Sequence, residues 1–113
     1  MSEHDPRITL IQMRDFAERA HAITQGRTVG QLASDYLVRA ALERTIELVG
    51  EAANRLGHPF HDAHPEIPWH RIVGMRNILA HGYENISDQV LWDTASKSIP
   101  AFIPAIDRLL DTL

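Results

Sequence analysis

The 113-residue chain contains no cysteine. It therefore has no disulfide framework and no thiol nucleophile, a composition compatible with a reducing cytoplasm. Lysine is nearly absent, Lys97 being the only one, so arginine supplies almost all of the positive charge. With a net charge of -4 and a pI near 5.9, a broad basic surface for nucleic acid is excluded, because phosphate binding on that scale needs clustered Lys and Arg. Any nucleic-acid contact must be local. No apolar run approaches the ~20 residues of a membrane span, and the first residues, MSEHDPR, are polar and acidic rather than signal-like. The expected location is cytoplasmic, with no membrane partner. Alternating strand patterns and a glycine-rich phosphate loop are also missing, which leaves helices to carry both fold and chemistry.

What is present is helical periodicity throughout a length that suits one domain, 1–113. Asp5-Pro6 has the form of a helix start, and Leu10, Met13, Ala17, Ala20 and Ile23 trace an apolar stripe that ends near Gly26. Thr28 to Gln31 reads as a capping box. Ser34 or Asp35 can cap a long second helix with two apolar stripes, one of Val38, Leu42, Ile46, Val49, Ala53 and Leu56, the other of Leu37, Ala41, Leu48 and Ala52. Two stripes imply two helical neighbours and a central position. Gly57 ends this helix, and residues 57–68, GHPFHDAHPEIP, read as a loop because of their three prolines. His58, His61 and His64 in that loop invite a metal reading, but adjoining prolines and the lack of a recognised ligand spacing argue for surface histidines and no metal. Farther on, Ser87 can cap a helix carrying Leu91, Trp92, Ala95 and Ile99. Pro100 and Pro104 then predict a new start or a kink, after which Ile103, Ile106, Leu110 and Leu113 resume a stripe.

The informative stretch is WHRIVGMRNILAHGY, Trp69 to Tyr83. Pro68 suits a helix start and Gly82 a stop, while Trp69, Ile72, Met75 and Leu79 build one apolar stripe. Arg76 lies about 40° around the helix from Ile72, at the edge of the buried face, where solvated arginines are uncommon. Asn77 and His81 are four apart and share a face. Arg76 and His81 are five apart, so they converge only if the chain turns or unwinds near Gly82, where Tyr83 can fold back. Gly74, in the helix interior, predicts a close approach by another backbone, either of a neighbouring helix or across a dimer. Glu51 on the preceding helix stands beside Ala52 and Ala53, small residues that let another helix come close, and an acid there could orient Arg76 or His81.

The string R-N-x-x-x-H-x-Y from Arg76 to Tyr83, with Gly50-Glu51-Ala52-Ala53, Ile67-Pro68-Trp69 and Gly74-Met75-Arg76-Asn77 in the same order, resembles the HEPN superfamily and specifically its HepT-like branch of small helical toxins. The combined pattern runs from about residue 37 to 93. The resemblance implies an all-α, up-down bundle of four to five helices, forming a homodimer in which two motif helices line a shared cleft. It implies a metal-independent endoribonuclease acting on RNA such as tRNA or mRNA, with Arg76 and His81 catalytic, Asn77, Tyr83 and Glu51 supporting them, and no cofactor. It also implies a type VII toxin-antitoxin pair, in which an MntA-like nucleotidyltransferase antitoxin transfers AMP to Tyr83. A second reading keeps the same cleft but makes the chain a non-catalytic subunit that binds a nucleotide or its transferase partner. RNA loss in the presence of EDTA discriminates between the two.

Overall fold

Asp5 and Asp35 start the two longest helices. In the computed structural model, which describes residues 5–82 and 86–113, the Asp5 carboxylate accepts from the Arg7 backbone N–H and opens α1 (Pro6–Thr24). After the short α2 (Gln31–Ser34), the Asp35 carboxylate accepts from the N–H groups of Leu37 and Val38 and opens α3 (Tyr36–Leu56). Each cap satisfies donors that the first helical turn would otherwise leave unpaired. Only one half of the expected capping box forms, with the Gln31 amide oxygen accepting from Thr28 N–H at 2.8 Å.

The remaining helices are α4 (His58–Ala63), α5 (Trp69–His81), α6 (Asp88–Asp93) and α7 (Ile99–Thr112), with a five-residue π segment, Thr94–Ser98, joining α6 to α7. The described residues contain no strand, and the architecture is an all-α bundle. Leu10, Met13, Ala17 and Ala20 of α1 meet Leu42, Ile46, Val49 and Ala53 of α3, and Leu91, Ile99, Phe102, Ile106 and Leu109 complete the core. Helix α3 is central, packing on α1 and on α5. Its second stripe is covered only in part: Ala52 is buried, while Leu37 and Ala41 at the other end are exposed.

Several expectations change. Residues 57–68 are not wholly a loop, since Gly57 at φ 84° turns the chain directly into α4. Pro59 is tolerated there because the first helical turn needs no internal N–H partner. Pro100 lies in the first turn of a new α-helix, α7, as a proline that forces a new start should. What the sequence does not show is that the preceding turn widens, with the N–H of Ile99 reaching back five residues to the Thr94 carbonyl, which accommodates a proline ring that would press on the carbonyl four residues earlier in a regular α-helix. The buried stripe of α7 is Ile99, Phe102, Ala105, Ile106 and Leu109, leaving Ile103 and Leu110 at its margin and Leu113 exposed. This helix carries apolar residues in both phases, and the π turn selects between them.

Candidate active site

Helix α5 runs against α3 with little else over it, and Trp69 is its one fully buried residue. The Trp69 indole N–H donates to the His64 carbonyl at 2.8 Å, and its ring stacks on His61 with centroids 4.6 Å apart. His61 in turn bonds the Ala53 carbonyl through Nε2 at 2.7 Å. This joint anchors the start of α5 to the end of α3. Ile72, Met75 and Leu79, expected to face a core, are half-buried. Beside them lies an open groove of about 380 Å³ floored by Ile46, Val49, Ile72, Met75 and Phe102.

The close approach of α3 and α5 occurs at Gly50. A Cβ placed there would lie 2.2 Å from the Arg76 Cβ and 3.0 Å from the Ile72 carbonyl oxygen, so only glycine permits this spacing. Within one chain Gly74 makes no such approach, because apart from its own helix no described atom lies within 4 Å of where its Cβ would be. Both glycines interrupt helices, and only the crossing point distinguishes them.

Gly50 therefore seats the root of Arg76. The Arg76 Nε is buried with no hydrogen-bond partner among the described residues, while Nη1 donates to the Asn77 side-chain oxygen at 2.9 Å. No described carboxylate pairs with this guanidinium. Glu51, half-buried on the next position of α3, has its recorded ion pair with Arg44 at 3.7 Å rather than with Arg76. The motif arginine is thus fixed through its stem, steered by an amide and left with a charge to offer an anion, the arrangement suited to a phosphate oxygen. Helix α5 itself contributes Arg71 as a second cation and no acidic residue.

His81 is exposed and is the last residue of α5. The helix does not unwind before it; the turn comes after, at Gly82, where φ 62° and ψ 26° end the helix and the Gly82 N–H bonds the Ile78 carbonyl at 3.0 Å. Arg76 and His81 consequently leave the helix about 140° apart and about 7.5 Å along its axis. Asn77 bridges this offset, since it holds the guanidinium and sits one helical turn before His81 on the same face. Tyr83 lies outside the described residues.

Arg39 has a role that the sequence did not disclose. Within α3 it reads as one of a series of solvated i,i+4 charges, and it does bond Glu43 at 3.1 Å. It also donates to the Ile86 carbonyl at 2.8 Å and pairs with Asp88. These bonds fasten the chain after the motif to α3. Partners 47 and 49 residues away leave no local signal.

The three histidines of residues 57–68 pack with aromatic rings rather than converge. His58 meets His61 edge-on, His61 stacks on Trp69, and His64 lies 4.5 Å from the Phe60 ring. Among the described residues, no group of three or more His, Asp or Glu side chains is placed to hold a metal ion. Nor is any described helix long and apolar enough to cross a membrane.

Comparison with known proteins matches the family described as Ribonuclease HepT-like over residues 13–109. Among individual relatives, a Methanocaldococcus jannaschii protein named "Putative RNase MJ1380" is 29% identical over 100 residues, covering 88% of this chain and 92% of its own. A Thermococcus cleftensis protein named "Probable ribonuclease HepT" is 35% identical over 75 residues, 66% of this chain and 68% of its own. A Caldanaerobacter subterraneus protein named "Putative RNase TTE0752" is 30% identical over 86 residues, 76% of this chain and 77% of its own. No solved structure matches at comparable stringency. The family match takes in α3, α5 and the whole motif described above, and the chain belongs to the HepT-like family.

Proposed function

We propose that the protein is an endoribonuclease that needs no metal ion. The observation that carries this reading is the setting of Arg76: its stem lies against Gly50, its head is held by Asn77, no described carboxylate neutralises it, and His81 follows on the face of Asn77. Family membership and the ribonuclease names of the relatives support the same assignment. In this reading His81 removes the proton from a ribose 2'-OH, an exchange suited to imidazole near neutral pH. The 2'-oxygen attacks the adjacent phosphorus and the P–O5' bond breaks, leaving a 2',3'-cyclic phosphate and a 5'-OH that takes up a proton. Arg76 stabilises the charge that develops on the non-bridging oxygens.

The working unit in this proposal is a homodimer. One Arg76 and one His81, offset around a single helix, make a sparse site, and two copies of α5 facing each other would double the local positive charge. Half-buried apolar residues along α5, with Ile78, Leu37 and Tyr36 exposed, supply apolar surface for such a contact. The proposal extends to a toxin-antitoxin pair with an MntA-like nucleotidyltransferase. The Tyr83 hydroxyl would attack the α-phosphorus of ATP and release pyrophosphate, and the added anionic nucleotide would block the cleft by charge and bulk.

The test is incubation of purified protein with tRNA and with mRNA in EDTA, beside Arg76→Met and His81→Ala. The proposal expects cleavage by the wild type and a loss of at least about 100-fold in each variant. Equal survival of RNA in all three, with Tyr83 shown unmodified by its mass, would leave the non-catalytic subunit as the better description. For the partner, co-expression with the transferase should add the mass of AMP to wild type and not to Tyr83→Phe.

A further inference from the structure

Between the end of α3, α4 and the first half of α5 lies a hollow of about 550 Å³. That is within the roughly 300–1,000 Å³ typical of pockets for small organic groups. Asn77, the residue that holds the Arg76 guanidinium, lines it. So does Gly74, whose missing side chain is otherwise unexplained within the chain: glycine inside a helix is less stable than alanine, and here no described atom outside its own helix occupies the space that a Cβ would take. His70, Gly74, Asn77 and His81 follow one another at steps of four, three and four, so the hollow and the proposed proton acceptor share one face of α5.

The lining also indicates what fits. It contains no Arg and no Lys, and it includes the Asp62 carboxylate, a poor environment for a phosphate. It does offer the exposed rings of His58 and His70 as stacking surfaces, beside the Trp69 and His61 rings that stack on each other, with the side-chain amides of Asn54 and Asn77 as donors and acceptors. Aromatic rings with amides and an acceptor-only carboxylate are how proteins hold an unpaired nucleobase and read its edge. We propose that this hollow is a base subsite, which takes the nucleobase of an unpaired RNA nucleotide adjoining the bond cut at Arg76 and His81, and that Gly74 keeps it open. The assignment rests on the ribonuclease reading above. It adds that the substrate is single-stranded at this position and that Asp62 influences which base is accepted.

The experiment uses short single-stranded RNA oligomers in which one nucleotide at a time is made abasic, digested in EDTA by the wild type and by His70→Ala, Asp62→Asn and Gly74→Leu. His70 and Asp62 are exposed and Gly74 has open space beside it, so all three variants should fold, which circular dichroism checks. Removing one particular base next to the cleaved bond should lower wild-type kcat/KM by about 10-fold or more. Gly74→Leu and His70→Ala should cut the intact oligomer at about that lowered rate and be insensitive to the abasic position, while Asp62→Asn should change the preferred base. Wild-type cleavage that is uniform across the abasic series, or unaltered rates in the variants, would overturn the subsite and leave the nuclease standing. A Gly74→Leu chain that loses self-association instead would assign the glycine to a contact between copies and equally overturn it. If the wild type cuts no oligomer and no tRNA, the nuclease reading fails first and the subsite with it.

Discussion

The two sides of α3 are built differently. Against α1 it presents Leu42, Ile46, Val49 and Ala53, all buried and enclosed further by α7. Against α5 it presents Gly50, and what fills the contact is the base of a charged residue, Arg76. The first side is a core, where stability is proportional to the apolar area removed from water. The second is a mounting surface, where apolar burial is sacrificed to fix the direction of one guanidinium, and where Ile72, Met75 and Leu79 remain half-open. Stability and chemistry are thus assigned to adjoining faces of the same helix, and substitutions on the two faces should be distinguishable by experiment.

The largest loss of stability is expected in the core. Leu42→Ala removes a fully buried side chain and should lower unfolding free energy by about 2–5 kcal/mol in urea denaturation. At the mounting surface Gly50→Ala should cost about 1–3 kcal/mol, although alanine is the better helix former, because the new methyl meets Arg76 Cβ at 2.2 Å. The same exchange at Gly74 should have the opposite sign and raise stability by up to about 1 kcal/mol, since nothing outside its helix is displaced. Opposite signs at two helical glycines 24 positions apart would sharpen the comparison; equal signs would break it. The smallest effect belongs to Glu51→Gln, which removes a partly exposed pair with Arg44 and should change stability by at most about 0.5 kcal/mol. A much larger loss would mean that Glu51 supports α5 in a way its ion pair does not reveal.

Legibility in the sequence followed the range of the interactions. The starts of α1 and α3 were readable, at Asp5 and to within one residue at Ser34 or Asp35, because a cap is completed within three residues, and Asp35 is the one that caps α3. The long stripes of α1 and α3 were readable because 3.6-residue periodicity survives over five turns. The phase of α7 was not, since Ile103, Ile106 and Leu110 make as good a stripe as Phe102, Ile106 and Leu109 until the π turn sets the rotation. At the site, the string from Arg76 to His81 was visible at once, and so was the awkward position of Arg76 at the edge of an apolar face. What the string could not supply was the partner across the gap. The choice of Gly50 over Gly74 as the point of contact, and of Ile86 and Asp88 as partners for Arg39, depends on how α3 meets elements 26 to 49 residues away. Helix continuity through His81 was likewise not decided by the pattern, and it makes Asn77 the link between cation and imidazole.

The claim that Arg76 and His81 cut RNA without a metal ion is tested most directly by the ends that the reaction leaves. With an RNA oligomer of defined sequence, EDTA present and Tyr83 unmodified, mass spectrometry of the products should show a 2',3'-cyclic phosphate on the upstream fragment and a 5'-hydroxyl on the downstream one, and neither product with His81→Ala. A 5'-phosphate with a 3'-hydroxyl, or cleavage that vanishes in EDTA and returns with a divalent ion, would contradict it.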